Sequence, residues 1–385
     1  MEFLEILKES FAQIGWREVV MWVIGGILIF LAIKFEMEPT LLLPMGFGAI
    51  LVNLPFNKIF GEIEVIDGVI NVLEEGPLGT LFNAGIANEL FPLLLFIGIG
   101  AMIDFEPVLS NPFLMIFGAA AQFGIFFTLG LASFFFPLVD AASIAIIGAA
   151  DGPTSIFVAN TLGSQYLGPI MVAAYSYMAL VPIIQPPVVK LLTTKKERMI
   201  RMDYNPASVG RLTKILFPIL VSVIAGIAAP ESAALVGFLM FGNLLRECGV
   251  LNGLSETAQK VLANLITLVL GLTVATRMVA GAFLHTDTLL ILGLGLVAFV
   301  VDTAGGVLLA KLINVFRKKK INPMIGACGI SAFPMSSRVI HKMGLKEDPS
   351  NFLLMHAAGV NVSGQVASVI AGSMILQLVM NLQVA

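Results

Sequence analysis

Long apolar stretches, each close to the length needed to cross a lipid bilayer, dominate this chain. A membrane-spanning helix needs about 20 apolar residues, and such stretches recur along the sequence between short charged segments. They fall at residues 19–33, 39–57, 88–103, 108–139, 166–189, 212–229, 232–250, 261–281, 288–315 and 350–383. The sequence therefore predicts an all-α polytopic membrane protein.

The amino-acid composition supports this class and excludes several others. Hydrophobic residues make up 58% of the chain and charged residues 12%, whereas soluble domains carry roughly 25% charged residues. These values exclude a soluble enzyme, a disordered protein and a nucleic-acid binder, which needs a basic face. Neither the two cysteines, Cys248 and Cys328, nor the three histidines show the spacing of a zinc site or a disulfide framework.

The N-terminal residues 1–18 do not resemble a cleavable signal peptide, because acidic side chains occupy the region where targeting requires basic ones. Apolar side chains recur there at helical spacing, at Phe3, Leu4, Leu7, Phe11 and Ile14. We predict an interfacial amphipathic helix over 1–18. A short helical lead-in to the first span is the alternative.

Two further apolar stretches, 143–162 and 321–340, are interrupted by glycine, proline and polar residues. The first reads IIGAADGPTSIF around Asp151, and the second reads INPMIGACGISAFPMSSR from Ile321. Proline and glycine interrupt the hydrogen-bond ladder of a helix. Because non-helical backbone in a bilayer is tolerated only within protein or along a polar cavity, we expect the functional chemistry in these two segments.

Basic residues predict the orientation in a cell (inner) membrane. The central segment 190–214 and the cluster 317–320 are rich in Lys and Arg and are predicted to be cytoplasmic by the positive-inside rule. The acidic loop 58–77 is then predicted outside. Counting spans outward from the central loop places the C-terminus outside, and the N-terminus as well if 19–33 crosses the membrane.

An internal repeat divides the chain into two similar halves. Residues 147–150 (IGAA) match 325–328 (IGAC), and each half then holds about five spans and one broken or re-entrant segment. An odd number of crossings predicts two oppositely inserted repeats, 19–189 and 212–385, joined by a basic linker at 190–211. Inverted repeats with broken helices are typical of secondary transporters; chance similarity among small apolar residues is the alternative.

Asp151 is the first candidate for a functional residue. A carboxylate in so apolar a neighbourhood costs several kcal/mol unless it is paired or binds a cation, and its segment contains no Lys or Arg. A bound cation or a proton is therefore the expected counter-charge. A helix-capping aspartate is the alternative, because Pro153 favours a helix start here, and capping is compatible with cation binding.

Asn322 opens the second broken segment and offers an uncharged oxygen of the type that hard cations prefer. Gly326 and Gly329 allow close backbone approach and expose carbonyl groups. An Asn-Pro turn is the alternative interpretation of Asn322. One carboxylate with neutral oxygens favours a monovalent ion such as Na⁺ over Ca²⁺.

Several other polar residues interrupt the apolar segments. Tyr177 offers a hydroxyl that relays a proton or is a satisfied core group, Ser331 offers a second hydroxyl, and Arg338 either grips a carboxylate bidentately or marks the membrane boundary. Asn361 and Ser363, with Gln365, are secondary candidates, since at a spacing of two they do not share one helix face. Asp104, Asp140, Arg277 and Asp302 are predicted to be span-boundary or intramembrane pairing residues.

Five motifs together give the chain a clear resemblance to a known family. GAADGPTSIF, AAYSYMALVPIIQPP, LTTKKERMIRM, NPMIGACGISAFPMSSR and NFLLMHAAGVNVSGQV resemble the beta subunit of the biotin-dependent, sodium-translocating decarboxylases. The resemblance runs from about residue 20 to the end. It implies a trimer-forming, elevator-type fold of two inverted repeats with a scaffold and a moving core. It also implies decarboxylation of carboxybiotin coupled to Na⁺ export.

The resemblance also assigns roles to individual residues. By motif, Asp151 and Asn322 are implied as the main sodium ligands, and Gly326 belongs to the same sodium motif. Tyr177 and Ser331 are implied in a second ion site and in proton delivery, and Arg338 at the carboxybiotin end.

The same resemblance implies partners and leaves an alternative function open. The expected partners are a biotin carrier and carboxyltransferase subunits, which deliver carboxybiotin in trans, and a small membrane subunit. No Met-Lys biotin-attachment dipeptide occurs in the sequence, and the acyl substrate is selected on another subunit. The alternatives are a Na⁺-coupled secondary transporter or Na⁺/H⁺ antiporter, and a membrane scaffold for a soluble enzyme.

Overall fold

The computed structural model describes residues 14–55, 58–66, 69–203, 209–228 and 230–384, most of them helical. The helices of the first half are α1 (Trp16–Phe35), α2 (Pro39–Val52), α3 (Pro77–Gly85), α4 (Leu90–Met102), α5 (Glu106–Ser110), α6 (Pro112–Ala132), α7 (Leu138–Ala149), α8 (Gly152–Thr161) and α9 (Leu167–Leu192). The helices that follow are α10 (Lys195–Arg198), α11 (Arg211–Ala228), α12 (Ala233–Glu247), α13 (Asn252–Arg277), α14 (Ala280–Phe283), α15 (Thr286–Phe316), α16 (Pro323–Gly329), α17 (Met335–Glu347) and α18 (Leu354–Val384).

Six of these helices are long and apolar enough to cross a membrane: α1, α6, α9, α13, α15 and α18. The pair α3 and α4 adds a seventh if it forms one span, although the two are bent by 64° against each other. These helices confirm the predicted multi-pass membrane protein. Their positions follow the apolar stretches of the sequence closely.

The loop predicted at 58–77 contains a small β-hairpin, while the described residues are mostly helical, which is consistent with the predicted all-α membrane protein. Strands β1 (Gly61–Ile66) and β2 (Val69–Glu75) pair antiparallel. Along β1 exposed and less exposed side chains alternate, because apolar residues alternate with glutamates at Glu62 and Glu64. This period of two is the signature of a half-buried strand. The sequence interpretation considered only the acidic charge of the loop and so did not predict the strand.

Two predictions fall partly on residues outside the description. The interfacial helix over 1–18 covers residues 1–13, which lie outside the described residues, and Trp16–Glu18 form the start of α1. In the basic linker, residues 204–208 likewise lie outside the described residues.

The elements around the two interrupted segments occur in a similar order, and the internal repeat itself stays a prediction. Each half ends with a broken pair, α7–α8 or α16–α17, followed by a long helix, α9 or α18. The opposite orientation of the halves stays a prediction. Both broken pairs lie inside the helical packing, where α7 and α16 contact α6, α15 and α18. Residues 140–159 and 321–332 are buried throughout.

Close helix packing depends on glycines that face a neighbouring backbone. A Cβ atom at Gly242 in α12 would lie 2.0 Å from the carbonyl oxygen of Ile97, and one at Gly100 in α4 would lie 1.8 Å from that of Leu239. Helix association in membranes relies on small residues at such contacts, because lipid leaves little hydrophobic driving force between helices.

We predict that Gly242→Ala separates α4 from α12. Overpacking of this kind costs about 1–3 kcal/mol, so the midpoint of thermal unfolding in detergent should fall. Gly237→Ala is the matched control on the same helix, because a Cβ there meets nothing within 4 Å. Equal midpoints for the two variants would contradict the packing described.

Candidate functional site

The first interrupted segment breaks at Ala150 and Asp151, as the sequence predicts. α7 ends in a 3₁₀ turn over Ile146–Ala149, and Ala150 adopts the left-handed conformation with φ 53°. Asp151 is the N-cap residue of α8, where its carboxylate accepts a hydrogen bond from the backbone N–H of Thr154 at 3.3 Å. A non-glycine residue in this conformation costs of order 1 kcal/mol, so the surrounding structure enforces the break.

The carboxylate of Asp151 is 3% exposed and is held by groups on α18. Its Oδ2 accepts hydrogen bonds from Gln365 Nε2 at 3.0 Å and from Ser368 Oγ at 2.9 Å. Within the described part of the chain, no Lys or Arg forms an ion pair with Asp151. Its negative charge is therefore met by neutral hydrogen-bond donors alone.

The second interrupted segment breaks at Ile330 and Ser331, beside the first break. The backbone N–H of Ser331 donates to the carbonyl of Ala149 at 2.8 Å. The Ser331 hydroxyl donates to Ser368 Oγ at 2.5 Å, which connects it to Asp151. Asn361 Nδ2 donates to the carbonyl of Ile330 at 2.7 Å. The two breaks therefore meet, and α18 bridges them.

Three oxygen atoms around this meeting point have no hydrogen-bond partner among the described residues: Asn361 Oδ1, Thr154 Oγ1 and Tyr175 Oη. All three belong to buried side chains. Tyr175 lies directly beside the break, since a Cβ at Gly152 would be 2.4 Å from its Cε1 atom. Buried polar atoms are rarely left unsatisfied, so this cluster suits a small cation that takes one carboxylate and neutral oxygens. We call Asp151, Ser331, Asn361, Gln365 and Ser368 the break cluster.

The observed contacts of Asn322 and Gly326 are with residues outside the break cluster. Asn322 Nδ2 donates to the carbonyls of Arg198 and Ile200 at 2.8 and 2.9 Å, and its Oδ1 caps the N–H of Met324 at 3.1 Å. Asn322 thus anchors the basic linker at the start of α16. Its role as a sodium ligand stays a prediction.

Gly326 is a packing residue in this structure. A Cβ there would lie 2.1 Å from the carbonyl oxygen of Gly306, and one at Gly306 would lie 2.0 Å from that of Gly326. α15 and α16 therefore touch backbone to backbone at this pair. No hydrogen bond among the described residues places Gly326 in the break cluster, and its role toward sodium also stays a prediction.

Tyr177 packs beside the break cluster but points its hydroxyl elsewhere. Its ring lies in the hydrophobic cluster that contains Ala150 and Ile330, and its hydroxyl donates to the carbonyl of Leu292 on α15. On α9, Tyr175 packs against Gly152 beside the first break, and the sequence interpretation gave it no role.

The α18 residues show what the sequence interpretation missed. Asn361, Gln365 and Ser368 follow the helical spacing i, i+4, i+7 and so share one face. The sequence interpretation took Asn361, Ser363 and Gln365 together as residues that do not share one face, and it did not extend the helical spacing from Asn361 and Gln365 to Ser368. Ser363 faces away, with its hydroxyl contacting the carbonyls of Val360 and Leu114 at 2.7 and 3.2 Å. Ser368, which the sequence interpretation left out, is central.

Arg338 lies on the first turns of α17, just after the second break, and is exposed in a cleft of about 460 Å³. The cleft is lined by the end of α1, by α9 and by α17. Its charged residues are mostly basic: Lys190, Arg338, Lys342 and Lys346, with Glu36 and Glu347. An arginine here has the bidentate geometry that recognises a carboxylate. α17 thus connects the break cluster to an anion-attracting cleft.

Glu38 stands close to Arg338 at the α1–α2 junction. Burial raises the pKa of Glu38, and the positive charge of Arg338 partly offsets this effect. Glu36 and Glu38 both adopt positive φ angles, 51° and 37°, which are strained for residues other than glycine. The junction therefore holds acidic side chains against the basic cleft at an energetic cost.

Ion pairs fasten the basic linker to the C-terminal end of α17, which also lines the cleft. Arg198 Nε lies 2.8 Å from Glu347 Oε1, and Arg201 Nε lies 2.6 Å from Asp348 Oδ2. The hydrogen bond from Arg201 lowers the pKa of Asp348. The linker, the cleft and the start of α16 therefore lie at one end of the molecule.

The charged groups within the described residues do not suit a transition metal. Among residues 14–384, outside the gaps at 56–57, 67–68, 204–208 and 229, no three His, Cys, Asp or Glu side chains come together as a metal-binding group. The break cluster, with its single carboxylate, instead suits a monovalent cation.

Comparison with known proteins identifies the family that the chain is similar to. A family model described as "Na+-transporting oxaloacetate decarboxylase beta subunit" matches residues 17–379. The chain is 46% identical to the methylmalonyl-CoA decarboxylase subunit beta of Propionigenium modestum over 382 residues, which covers 96% of each chain. It is 42% identical to the oxaloacetate decarboxylase beta chain of Klebsiella pneumoniae, covering 99% of this chain and 100% of the relative.

We predict that Ser368→Ala weakens cation binding, with Na⁺ as the probe. The substitution removes one donor to Asp151 and the link to Ser331, and a lost buried hydrogen bond costs about 1–3 kcal/mol. The apparent Na⁺ affinity, measured by Na⁺-dependent thermal stabilisation, should fall roughly 5- to 100-fold.

Ser373→Ala is the matched control for this measurement. Ser373 is a buried serine on the same helix, and its hydroxyl donates to the carbonyl of Val369 at 2.9 Å. The control should bind Na⁺ like the unmodified protein. An unchanged affinity in Ser368→Ala would remove the break cluster as the binding site.

Proposed function

Because this chain belongs to the family of Na⁺-transporting oxaloacetate decarboxylase beta subunits, we propose that it is the membrane subunit of a Na⁺-pumping decarboxylase. In this proposal it decarboxylates carboxybiotin brought by a biotin carrier subunit and couples that reaction to Na⁺ export. The single observation that supports the coupling is the break cluster. It places one carboxylate and several neutral oxygens where the two interrupted segments meet, and one of these, Asn361 Oδ1, has no hydrogen-bond partner among the described residues.

Na⁺ is the transported substrate, and the break cluster fits it chemically. Asp151 supplies the negative charge, and Asn361 Oδ1 and the hydroxyls of Ser331 and Ser368 supply neutral oxygens within the same network. An unpaired carboxylate at membrane depth costs several kcal/mol, and a bound cation removes this cost. By the family resemblance, Asn322 and Gly326 are proposed as further sodium-binding residues.

Carboxybiotin is proposed to bind in the basic cleft. Arg338 offers two parallel N–H donors to the substrate carboxylate, and Lys342 and Lys346 raise the local positive potential. Breaking the N–CO₂ bond leaves electrons on the biotin nitrogen, which takes up one proton as CO₂ departs. Tyr177 and Ser331 are proposed to bring that proton from the outer side, along α9 and the second break.

Coupling follows if Na⁺ and the proton exclude each other at the break cluster. Moving one charge against 100 mV costs about 2.3 kcal/mol, and an irreversible decarboxylation drives this step.

The proposed architecture consists of two inverted repeats, 19–189 and 212–385, acting as an elevator with scaffold and core. The basic linker 190–211 is proposed to be cytoplasmic and the C-terminus outside the inner membrane.

The proposed assembly includes other chains. Carboxyltransferase and biotin carrier subunits would supply carboxybiotin at the cytoplasmic cleft, and a small membrane subunit would complete the complex, with the chain forming a homotrimer. Purification of the tagged chain with a biotinylated partner, detected by streptavidin, would support this assembly. A chain that pumps Na⁺ with no biotinylated partner would instead be a Na⁺/H⁺ antiporter.

We predict that Asp151→Asn abolishes Na⁺-stimulated decarboxylation. The amide removes the charge that neutralises the cation but keeps the side-chain volume. The rate of carboxybiotin decarboxylation by the reconstituted complex should fall to its Na⁺-free level, and ²²Na⁺ transport into vesicles should stop.

Asp287→Asn is the control, because Asp287 is a partly exposed carboxylate that bonds the Tyr166 hydroxyl at 2.9 Å outside the break cluster. This variant should pump normally. Normal Na⁺ stimulation in Asp151→Asn would refute the assignment.

We predict that Arg338→Lys weakens carboxybiotin binding and leaves Na⁺ affinity unchanged. Lysine keeps the charge but loses the bidentate fork, and a hydrogen bond to a charged group contributes about 1.5–3 kcal/mol. The KM for the carboxybiotin carrier should therefore rise about 10- to 100-fold.

Lys318→Gln, in the basic cluster 317–320 outside the cleft, serves as the control for general charge loss. Its KM should stay within about twofold, as for a surface charge. If Arg338→Lys and Lys318→Gln gave the same KM, the cleft would not be the carboxybiotin site.

A further inference from the structure

A second buried carboxyl group, Asp302, lies near the middle of α15. It is 1% exposed, and neither of its oxygens has a hydrogen-bond partner in the part of the chain that the structure describes. The backbone N–H groups of Gly124 and Ile125 are directed at it, and because both are neutral they bring no counter-charge. The pairing residue that the sequence interpretation expected for Asp302 is therefore not present among the described residues.

Glycines form the wall around this carboxyl group. A Cβ at Gly124 in α6 would lie 2.3 Å from Asp302 Oδ1, and one at Gly148 in α7 would lie 2.5 Å from Oδ2. Each oxygen thus rests against a glycine Cα. A Na⁺ ion needs several oxygen ligands around it, and the two glycines that touch the carboxyl oxygens present no side-chain oxygen there. A proton needs no such shell, so H⁺ is the counter-charge that fits.

The titratable groups of the neighbouring elements do not neutralise Asp302. α6 and α14 contain none. In α7 Asp140 accepts a hydrogen bond from Ser164 Oγ at 2.7 Å, and in α9 the Tyr177 hydroxyl donates to Leu292. The remaining titratable residues on α15 and on the elements packed against it are Tyr175, Lys190, Asp287, Lys311 and Cys328. None of them is hydrogen-bonded or ion-paired to Asp302 among the described residues.

Asp302 and Asp151 flank the same 3₁₀ turn. Gly148 of that turn contacts Asp302, and Asp151 follows two residues after the turn ends at Ala149. A cation bound at Asp151 adds positive charge beside this turn. Positive charge favours the ionised form of a nearby carboxyl group, so cation binding and proton release are coupled electrostatically.

We propose that Asp302 is a second, H⁺-specific binding site of the pump, loaded with a proton in this conformation and emptied when Na⁺ binds at Asp151. This inference deepens the proposed function and rests on it. Reprotonation of Asp302 then accompanies Na⁺ discharge. No other reactant is consumed, because the site exchanges one proton with water and forms no covalent bond.

The test measures protons released when NaCl is added to the purified chain in weak buffer with a pH-indicator dye, without turnover. Choline chloride serves as the salt control. The unmodified protein should release protons on Na⁺ addition, and Asp302→Asn should release about one proton fewer per chain. Its Na⁺ affinity should change less than that of Asp151→Asn, because the Asp151 contacts are intact.

Asp140→Asn is the matched control. Asp140 is also buried, but it is paired with Ser164, so its substitution should leave proton release unchanged. An Asp302→Asn variant that binds Na⁺ and releases as many protons as the unmodified protein overturns this inference alone. If the unmodified protein binds no Na⁺, the proposed function itself fails.

A second variant keeps the test decisive if Asp302→Asn does not fold. Gly148→Ala retains the carboxyl group but places a methyl group against Oδ2, which should shift the pH at which Na⁺ releases protons. Gly130→Ala on α6, where a Cβ meets nothing within 4 Å, is its control. Identical pH profiles for Gly148→Ala and the unmodified protein would also overturn the inference.

Discussion

The structure depends on one constraint of the lipid bilayer: backbone groups freed by a broken helix, and any charge, must be satisfied inside the protein. The two interrupted segments meet this requirement together. Ser331 donates its backbone N–H to Ala149, so each break supplies a partner for the other. The same contact brings Asp151 and Ser331 into one network with α18. The hydrogen bonds that satisfy the backbone groups of the two breaks therefore also bring the residues of the break cluster together.

This arrangement explains why the polar residues of α18 are internal. Asn361, Gln365 and Ser368 lie on one helix face and bond the two breaks and the carboxylate between them. α17 leads from the second break to the basic cleft around Arg338. A single element thus connects the proposed ion site to the proposed carboxybiotin site, which is the geometry that coupled transport requires.

Among the described residues, six of the ten predicted spans form helices long and apolar enough to cross a membrane, and both predicted breaks form, because such signals follow from nearest neighbours. Long apolar runs identify α9 and α15, and Asp-Gly-Pro places the break at Asp151. The hairpin β1–β2 was missed although Glu62 and Glu64 alternate with apolar residues. Single motifs did not predict tertiary contacts, because these depend on residues far away in the sequence. Asn322 is hydrogen-bonded to the linker, and Gly326 packs on Gly306. Ser368 was recoverable only with the right helical period.

The most direct test of the central claim is a pair of high-resolution cryo-EM maps of the chain, one in Na⁺ and one in choline. A cation held by the break cluster predicts density in contact with the Asp151 carboxylate and the amide oxygen of Asn361 in Na⁺, and its loss in choline. Identical maps, with Asp151 bonded only to Thr154, Gln365 and Ser368 in both, would contradict the account.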